Sequence, residues 1–143
     1  MTSFPLTELR TLQASIGAAN AAKGFHQEGA ALSKEVAERP RYLSGPAANL
    51  RNYYANKLLL VVSEVVEAHD ELRKGRAIDE TYYPTKDEGF AAPFKPEGVI
   101  SELADVVIRV MDFCDEAGLD LPAMVEEKLE FNATRSHMHG KAF

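Results

Sequence analysis

Apolar residues recur along most of the chain at intervals of three and four positions, which is the spacing of one face of an α-helix. A first helix is predicted from Thr7 to about Gly24, and its apolar positions are Leu9, Leu12, Ile16 and Ala19. A shorter helix is predicted from Ala30 to Ala37, because Pro40 interrupts the pattern soon after it.

The longest predicted helix lies in the middle of the chain. Asn49 or Asn52 is suited to cap its start, and Gly75 follows its last residue, Lys74. Its broad apolar face consists of Leu58, Val61, Val62, Val65, Val66, His69 and Leu72.

Two more helices are predicted in the C-terminal half. One runs from about Glu97 to Ala117, and its core face includes Leu103, Val106, Val107, Val110, Met111 and Cys114. Asp120 is suited to cap the other, which continues to about Arg135. No segment has the alternation of a strand, so the sequence predicts an all-α class.

The remaining segments are not helical in pattern. Residues 75–98 form a long stretch rich in Pro and Tyr, and residues 136–143 form a tail. A loop of this length in a compact domain is usually functional or disordered. With 143 residues in all, the chain is expected to form a single domain, residues 1–143.

Charge and composition narrow the function classes. The formal net charge of −6 argues against a nucleic-acid partner, because such proteins neutralise phosphates with basic patches. The N-terminus lacks the layout of a signal peptide, and the longest strongly apolar run, Leu58 to Val62, is far too short for a membrane span. The single cysteine, Cys114, fits a reducing compartment and a core position. We expect a cytoplasmic protein with no membrane partner.

Two pairs of carboxylates carry the main chemical indication. Glu64 and Glu67 lie on the longest helix, Glu102 and Asp105 lie on the next, and each i, i+3 pair projects from one face. If the two helices pack antiparallel, the pairs face each other across a cleft, and four oxygen ligands suit a hard cation such as Mg²⁺. The spacing is equally compatible with a solvated helix surface.

A basic row on the last helix adds to this indication. Lys128, Asn132 and Arg135 stand at i, i+4 and i+7, so they share one face. Lys and Arg bind phosphate, and Asn can bond phosphate or sugar oxygens. The row taken alone fits a surface that pairs with nearby Glu, but with the acids it makes the set expected for a metal–polyphosphate site.

These segments resemble a known enzyme family. The stretch LLLVVSEVVEAHDELRKG, followed by PEGVISELADVVIRVMDFCDEAGLDLPAMVEEKLEFNATR, is similar to the MazG-like all-α nucleoside triphosphate pyrophosphohydrolases, relatives of dCTP pyrophosphatases and dimeric dUTPases. The resemblance covers roughly Leu58 to Arg135, and KGFH and HGKAF near the two ends also look similar. The chain departs from many members at Ser63, where they have an acid, and in its longer spacer between the acid pairs.

The resemblance implies a fold, a reaction and a set of site residues. It implies a four-helix-bundle-like core, assembly as a homodimer or homotetramer, and hydrolysis of a nucleoside triphosphate to the monophosphate and pyrophosphate with Mg²⁺, or with Mn²⁺ in its place. Its metal ligands correspond to Glu64, Glu67, Glu102 and Asp105, with Glu67 and Glu64 as the catalytic acids. Its phosphate-binding row corresponds to Lys128, Asn132 and Arg135.

The sequence is also compatible with other site roles and other functions. Phe25 and His26 could stack on the base of the substrate, although aromatic side chains in such positions often belong to a core or an interface. Phosphoribosyl-ATP pyrophosphohydrolases share the fold and chemistry, and a non-catalytic helical binding module would carry the same acids on its surface. A di-iron carboxylate bundle needs Glu-x-x-His, which is absent from this sequence.

Overall fold

The described part of the chain consists of helices joined by turns and one longer loop. The computed structural model describes residues 6–38, 45–85, 89 and 92–134. Its helices are α1 (Leu6–Ala22), α2 (Gln27–Glu38), α3 (Pro46–Arg73), α4 (Val99–Glu116) and α5 (Leu121–Ala133). Within these ranges there is no strand beyond an isolated bridge between Tyr82 and Glu97, so the predicted all-α class is confirmed.

The helix ends follow local chain chemistry, with shifts of a few residues from the predicted bounds. α3 starts earlier than predicted, at Pro46, whose fixed backbone angle suits the first turn and needs no side-chain cap from Asn49 or Asn52. Gly75, with φ of 82°, reverses the chain after α3 as predicted. Asp120 caps α5 as predicted, because its side chain accepts a hydrogen bond of 3.1 Å from the Ala123 amide.

Packing centres on α3 and α4, which share the most extensive contact in the described fold. Lys57 meets Asp112, whereas Glu64, further along α3, meets Arg109, which comes earlier on α4. The two helices are therefore antiparallel, as the carboxylate hypothesis requires. α1 packs on α4, α2 packs on α3, and α5 packs on α1.

The seam between α3 and α4 is unusually polar. Glu64, Glu71, Glu102 and Asp112 are buried, whereas the buried apolar side chains on the same two helices are Ala68, Val99, Met111 and Cys114. The predicted burial of Cys114 is confirmed, and burial also raises the pKa of its thiol. A polar seam inside a small helical protein is costly unless its groups are paired, so these acids need partners.

The apolar faces of α3 and α4 point largely away from the seam. Leu103 and Val107 are 44% and 47% exposed, so the prediction that they face the core of this chain is wrong. The physical reason is that the polar stripe, not the apolar one, faces the neighbouring helix. On α3 the exposed apolar side chains include Leu58, Leu59, Val62, Val65 and Val66.

Hydrogen bonds hold the loop between α3 and α4 in place, both within the loop and to α3. The backbone groups of Tyr82 and Glu97 exchange hydrogen bonds of 3.1 and 2.8 Å, and the Tyr82 hydroxyl donates to Oε2 of buried Glu71 at 3.0 Å. Gly98 follows with φ of 117°, and a Cβ there would lie 2.3 Å from the backbone oxygen of Glu80. These contacts fix the position from which α4 and its carboxylates begin.

None of the described helices combines the length and the apolar composition that crossing a membrane requires.

Candidate metal centre

Three of the four predicted carboxylates come together between α3 and α4. Oxygen atoms of Glu64, Glu67 and Glu102 lie within 4.8 Å of one another. The fourth, Asp105, follows Glu102 by one helical turn and lines the same cavity as Glu64 and Glu67. Antiparallel packing brings the i, i+3 pairs of two helices to the same level, as the spacing predicts.

Burial separates these acids from an ordinary helix surface. Glu102 is 2% exposed and Glu64 is also buried, whereas Glu67 is exposed to the cavity side. Acids on a solvated face are exposed, so the surface explanation does not fit Glu64 and Glu102. Burial raises the pKa of Glu102, and the charge of Lys95 opposes that rise.

One oxygen of Glu102 has no hydrogen-bond partner among the described residues. This atom, Oε2, is buried, and an unpaired buried carboxylate oxygen costs free energy. A cation bound by Glu64, Glu67 and Glu102 would satisfy it. Carboxylate oxygens are the ligands that Mg²⁺ and Mn²⁺ prefer, so the donor set fits such a cation.

Two basic side chains lie among the acids. Nε and Nη2 of Arg109 each lie 2.5 Å from Oε1 of Glu64, so the guanidinium pairs with a buried carboxylate. Nζ of Lys95, from the loop before α4, lies 3.4 Å from Glu102, 3.6 Å from Asp105 and 3.8 Å from Glu97. Partial burial disfavours the charged form of Lys95, but the charges of Glu102 and Glu97 outweigh it and raise the pKa of its ammonium group.

A second cluster of charged groups lies further along the same seam. Nζ of Lys57 is 3.1 Å from Asp112 and also contacts Glu116. Nε2 of His26 lies 2.7 Å from the other oxygen of Asp112, and the Tyr53 hydroxyl donates to Glu116 at 2.6 Å. His26, Asp112 and Glu116 have the spacing of a metal site, but Lys57 already supplies the cation there.

The pKa shifts in this second cluster have clear causes. Burial opposes ionisation of Asp112, but hydrogen bonds from Asn20, His26 and Lys57 prevail and lower its pKa. Burial and the hydrogen bond to Glu116 raise the pKa of Tyr53 to about 12. Lys57 loses hydration, yet its bonds to Glu116 and Asp112 raise its pKa. At neutral pH Lys57 and Asp112 are therefore charged, and the Tyr53 hydroxyl keeps its proton.

An open cavity of about 810 Å³ joins the two clusters. Its walls include acids of the first cluster at one end, and Phe25, Tyr53 and Asn20 at the other. A volume of this size suits a small molecule the size of a nucleotide. The first end carries the carboxylate cluster, whereas the second combines aromatic and amide groups with the charged side chains of Glu28, Lys57 and Asp112, so the two ends differ in chemistry.

The two predicted base-binding residues are placed differently. Phe25 is exposed and lines the cavity, so it is available to a ligand. His26 is nearly buried and holds Asp112, which makes it part of the cavity's support. The stacking role predicted for either residue stays a prediction.

The two described residues of the predicted phosphate-binding row do not line this cavity. Lys128 and Asn132 are exposed on α5, which packs on α1, and Arg135 lies outside the described residues. Lys95, Arg109 and Lys57 are the basic side chains that the described fold brings to the acids. A role of Lys128 and Asn132 at the same cavity would therefore need α5 from another copy of the chain.

Sequence reasoning missed the roles of Lys57 and Lys95. A pattern was present for Lys57, because Lys57, Glu64 and Glu71 recur every seven residues on one face of α3. Two of them meet opposite charges on α4 in antiparallel order, Lys57 with Asp112 and Glu64 with Arg109. Glu71 bonds to Lys74 and to Tyr82. Lys95 lies in a loop without periodicity, so no pattern could place it.

Comparisons with protein-family models, with curated proteins and with solved structures found no match to this chain.

Proposed function

We propose that this protein hydrolyses a nucleoside triphosphate to the monophosphate and pyrophosphate, using Mg²⁺ held by Glu64, Glu67, Glu102 and Asp105. The observation that carries the proposal is the meeting of three carboxylates within 4.8 Å, two of them buried, at one end of a cavity of about 810 Å³. The motif resemblance over Leu58 to Arg135 supplies the reaction class.

The cation and the acids of the site would have distinct roles in the reaction. A bound divalent cation supplies charge neutralisation and a more acidic water. Glu67 is the exposed acid of the cluster, so it is the group best placed to accept a proton from that water. Ser63 is excluded from this role, because its hydroxyl donates to the Leu60 carbonyl at 2.7 Å within α3.

Charge and shape favour one orientation of the substrate. The triphosphate would lie at the acidic end, where Lys95 and Arg109 are close enough to stabilise negative charge that the cation leaves uncompensated. The base would lie at the opposite end, beside Phe25 and Tyr53, where aromatic faces can stack on it. Lys57, Asp112 and His26 would hold that end rigid through their mutual bonds.

We further propose that the active species is a homodimer or homotetramer. The buried apolar side chains of the described chain are few and small, whereas long apolar side chains on α3, α4 and α5 are exposed. Where none of the described helices can cross a membrane, exposed apolar side chains in this number favour a protein–protein interface. In such an assembly, Lys128, Asn132 and Arg135 of one copy would be candidates to contact the cavity of another.

Product analysis tests the reaction. The purified protein would be incubated with each nucleoside triphosphate and with phosphoribosyl-ATP, with Mg²⁺ and with a chelator, and the products separated by chromatography. The proposal requires monophosphate and pyrophosphate only with Mg²⁺. Release of diphosphate and inorganic phosphate would show that another bond is cut. If no substrate turns over and Mg²⁺ does not stabilise the fold, the helical binding module becomes the better description.

A further inference from the structure

The loop before α4 contributes a lysine to the carboxylate cluster, and the contact is unlike an ordinary surface ion pair. Nζ of Lys95 lies 3.4 Å from Oε1 of Glu102, whose side chain is 2% exposed, and 3.6 Å from Oδ2 of Asp105. Its own side chain is 51% exposed and lines the cavity. A half-exposed ammonium group thus pairs with two acids that belong to the proposed metal centre.

The backbone holds the base of this lysine in place. Glu97, two residues later, is hydrogen-bonded to Tyr82 in both directions, and Gly98 is packed against the Glu80 backbone. The backbone next to Lys95 is therefore held in place, whereas its side chain is long and has several rotatable bonds. The ammonium group can swing within the cavity while its attachment point stays near Glu102.

Electrostatics makes Lys95 and a divalent cation compete. Both are attracted to Glu102 and Asp105, and they repel each other strongly at distances of a few ångströms. When a cation binds these acids, the ammonium must leave them. The cavity is the open side of Lys95, so the displaced group comes to lie where the proposed triphosphate enters.

We propose that Lys95 is an exchangeable counter-ion: it neutralises Glu102 and Asp105 in the metal-free protein, and metal binding transfers it to the phosphates of the substrate. This inference rests on the proposed function. It makes Lys95 a positioning residue that links metal occupancy to substrate binding.

The test measures metal binding without substrate. Mg²⁺ would be titrated into wild-type protein and Lys95→Gln by calorimetry, with thermal stability followed in parallel. Removing the competing charge should tighten Mg²⁺ binding about tenfold, which corresponds to about 1.4 kcal/mol. The metal-free variant should melt at a lower temperature, and saturating Mg²⁺ should remove most of the difference.

Two further variants separate this role from a structural one. Lys95→Arg keeps the charge and should bind Mg²⁺ as the wild type does. Lys34→Gln removes the same charge from an exposed pair on α2 and should leave Mg²⁺ binding unchanged within about twofold. In turnover assays Lys95→Gln should raise KM for the triphosphate more than it lowers kcat.

The outcomes distinguish the inference from the proposed function. If the wild type binds Mg²⁺ but Lys95→Gln binds it equally or more weakly, the exchange is wrong and the metal centre stands. If Lys95→Arg behaves like Lys95→Gln, charge is not the property that matters and the exchange is again wrong. If the wild type shows no Mg²⁺ binding at all, both proposals fail together.

Discussion

The guanidinium of Arg109 and the buried carboxylate of Glu64 are paired at 2.5 Å across the α3–α4 seam. Glu64 belongs to the carboxylate cluster, and both residues of the pair line the cavity. The pair ties the two central helices together at the point where the proposed cation would bind. The proposed metal centre therefore implies that stability and metal binding are coupled at Glu64.

The first prediction concerns this pair. Arg109→Leu leaves Glu64 without its counter-ion, and we expect the free energy of unfolding to fall by about 2 kcal/mol, somewhat less than the cost of breaking a fully buried pair. Mg²⁺ should restore part of the loss, because the cation takes over the charge of Glu64. Urea denaturation with and without Mg²⁺ measures both effects. Arg51→Leu, at an exposed position, is the control. If Mg²⁺ raised the free energy of unfolding equally in the wild type, Arg109→Leu and Arg51→Leu, the coupling would be contradicted.

The second prediction concerns the proposed base. Glu67→Gln should reduce Mg²⁺-dependent pyrophosphate release by at least about 100-fold, since it removes a general base and a metal ligand. The fold should be retained, because Glu67 is exposed. Pyrophosphate release and circular dichroism are the measurements, with Glu8→Gln on α1 as the matched control. Near-native turnover by Glu67→Gln would show that the acid assignment is wrong.

The third prediction uses the pH dependence of Asp112. Its pKa is lowered in the folded protein, so its stabilising effect is present above the ordinary aspartate value of about 3.9 and is lost as the pH falls through the lower folded value. At pH 7 Asp112→Asn should therefore be less stable than the wild type by about 3 kcal/mol. The difference should shrink below about pH 4.

Unfolding experiments at several pH values check this expectation. The exposed Asp79→Asn should change the free energy of unfolding by no more than about 0.5 kcal/mol at any pH. A stability gap for Asp112→Asn that stays constant down to pH 3 would mean that hydrogen bonding or packing, and not charge, explains the effect.

The fourth prediction contrasts two glycines with left-handed backbone. Gly98→Ala combines φ of 117° with a Cβ only 2.3 Å from the Glu80 oxygen, so we expect a loss of at least about 3 kcal/mol. Gly75→Ala has φ of 82° and open space around the Cβ, so only the conformational cost of about 1–2 kcal/mol remains. Thermal unfolding compares them. Equal losses of stability in the two variants would mean that the backbone at Glu80 moves aside at no cost when residue 98 gains a Cβ.

The fifth prediction concerns assembly. The wild type should sediment as a dimer or tetramer, and Val62→Glu, which puts a charge on an exposed apolar position of α3, should shift it toward the monomer. Ser33→Glu adds the same charge to an exposed polar position on α2 and should leave the oligomeric state unchanged. A wild type that is monomeric at all concentrations tested would overturn the oligomer proposal.

The sequence predicted most of the helices, because periodicity, caps and glycine stops act locally. It also predicted that Glu64, Glu67 and Glu102 approach one another, since two i, i+3 pairs on antiparallel helices meet at one level. It did not predict the direction in which the apolar faces point. A helix with one polar and one apolar stripe can pack by either, and the pairing of Lys57 and Arg109 with acids decided for the polar stripe.

The placement of the basic residues could not be read from the sequence for a different reason. The row on α5 is regular in sequence, but the short connection after α4 brings α5 onto α1 and away from the carboxylates. Lys95 reaches them from an irregular loop whose path depends on the bridge between Tyr82 and Glu97. Both outcomes depend on how the chain turns between helices, which periodicity does not encode.

The burial of Cys114 has a practical consequence. It is the single thiol of the chain and is enclosed on α4, the helix that carries half of the proposed ligands. A thiol reagent therefore reacts only when α4 separates from its neighbours, and the labelling rate reports how often that opening occurs. The native protein thus contains its own kinetic reporter, and any ligand that clamps α3 to α4 should slow the labelling in proportion to its occupancy.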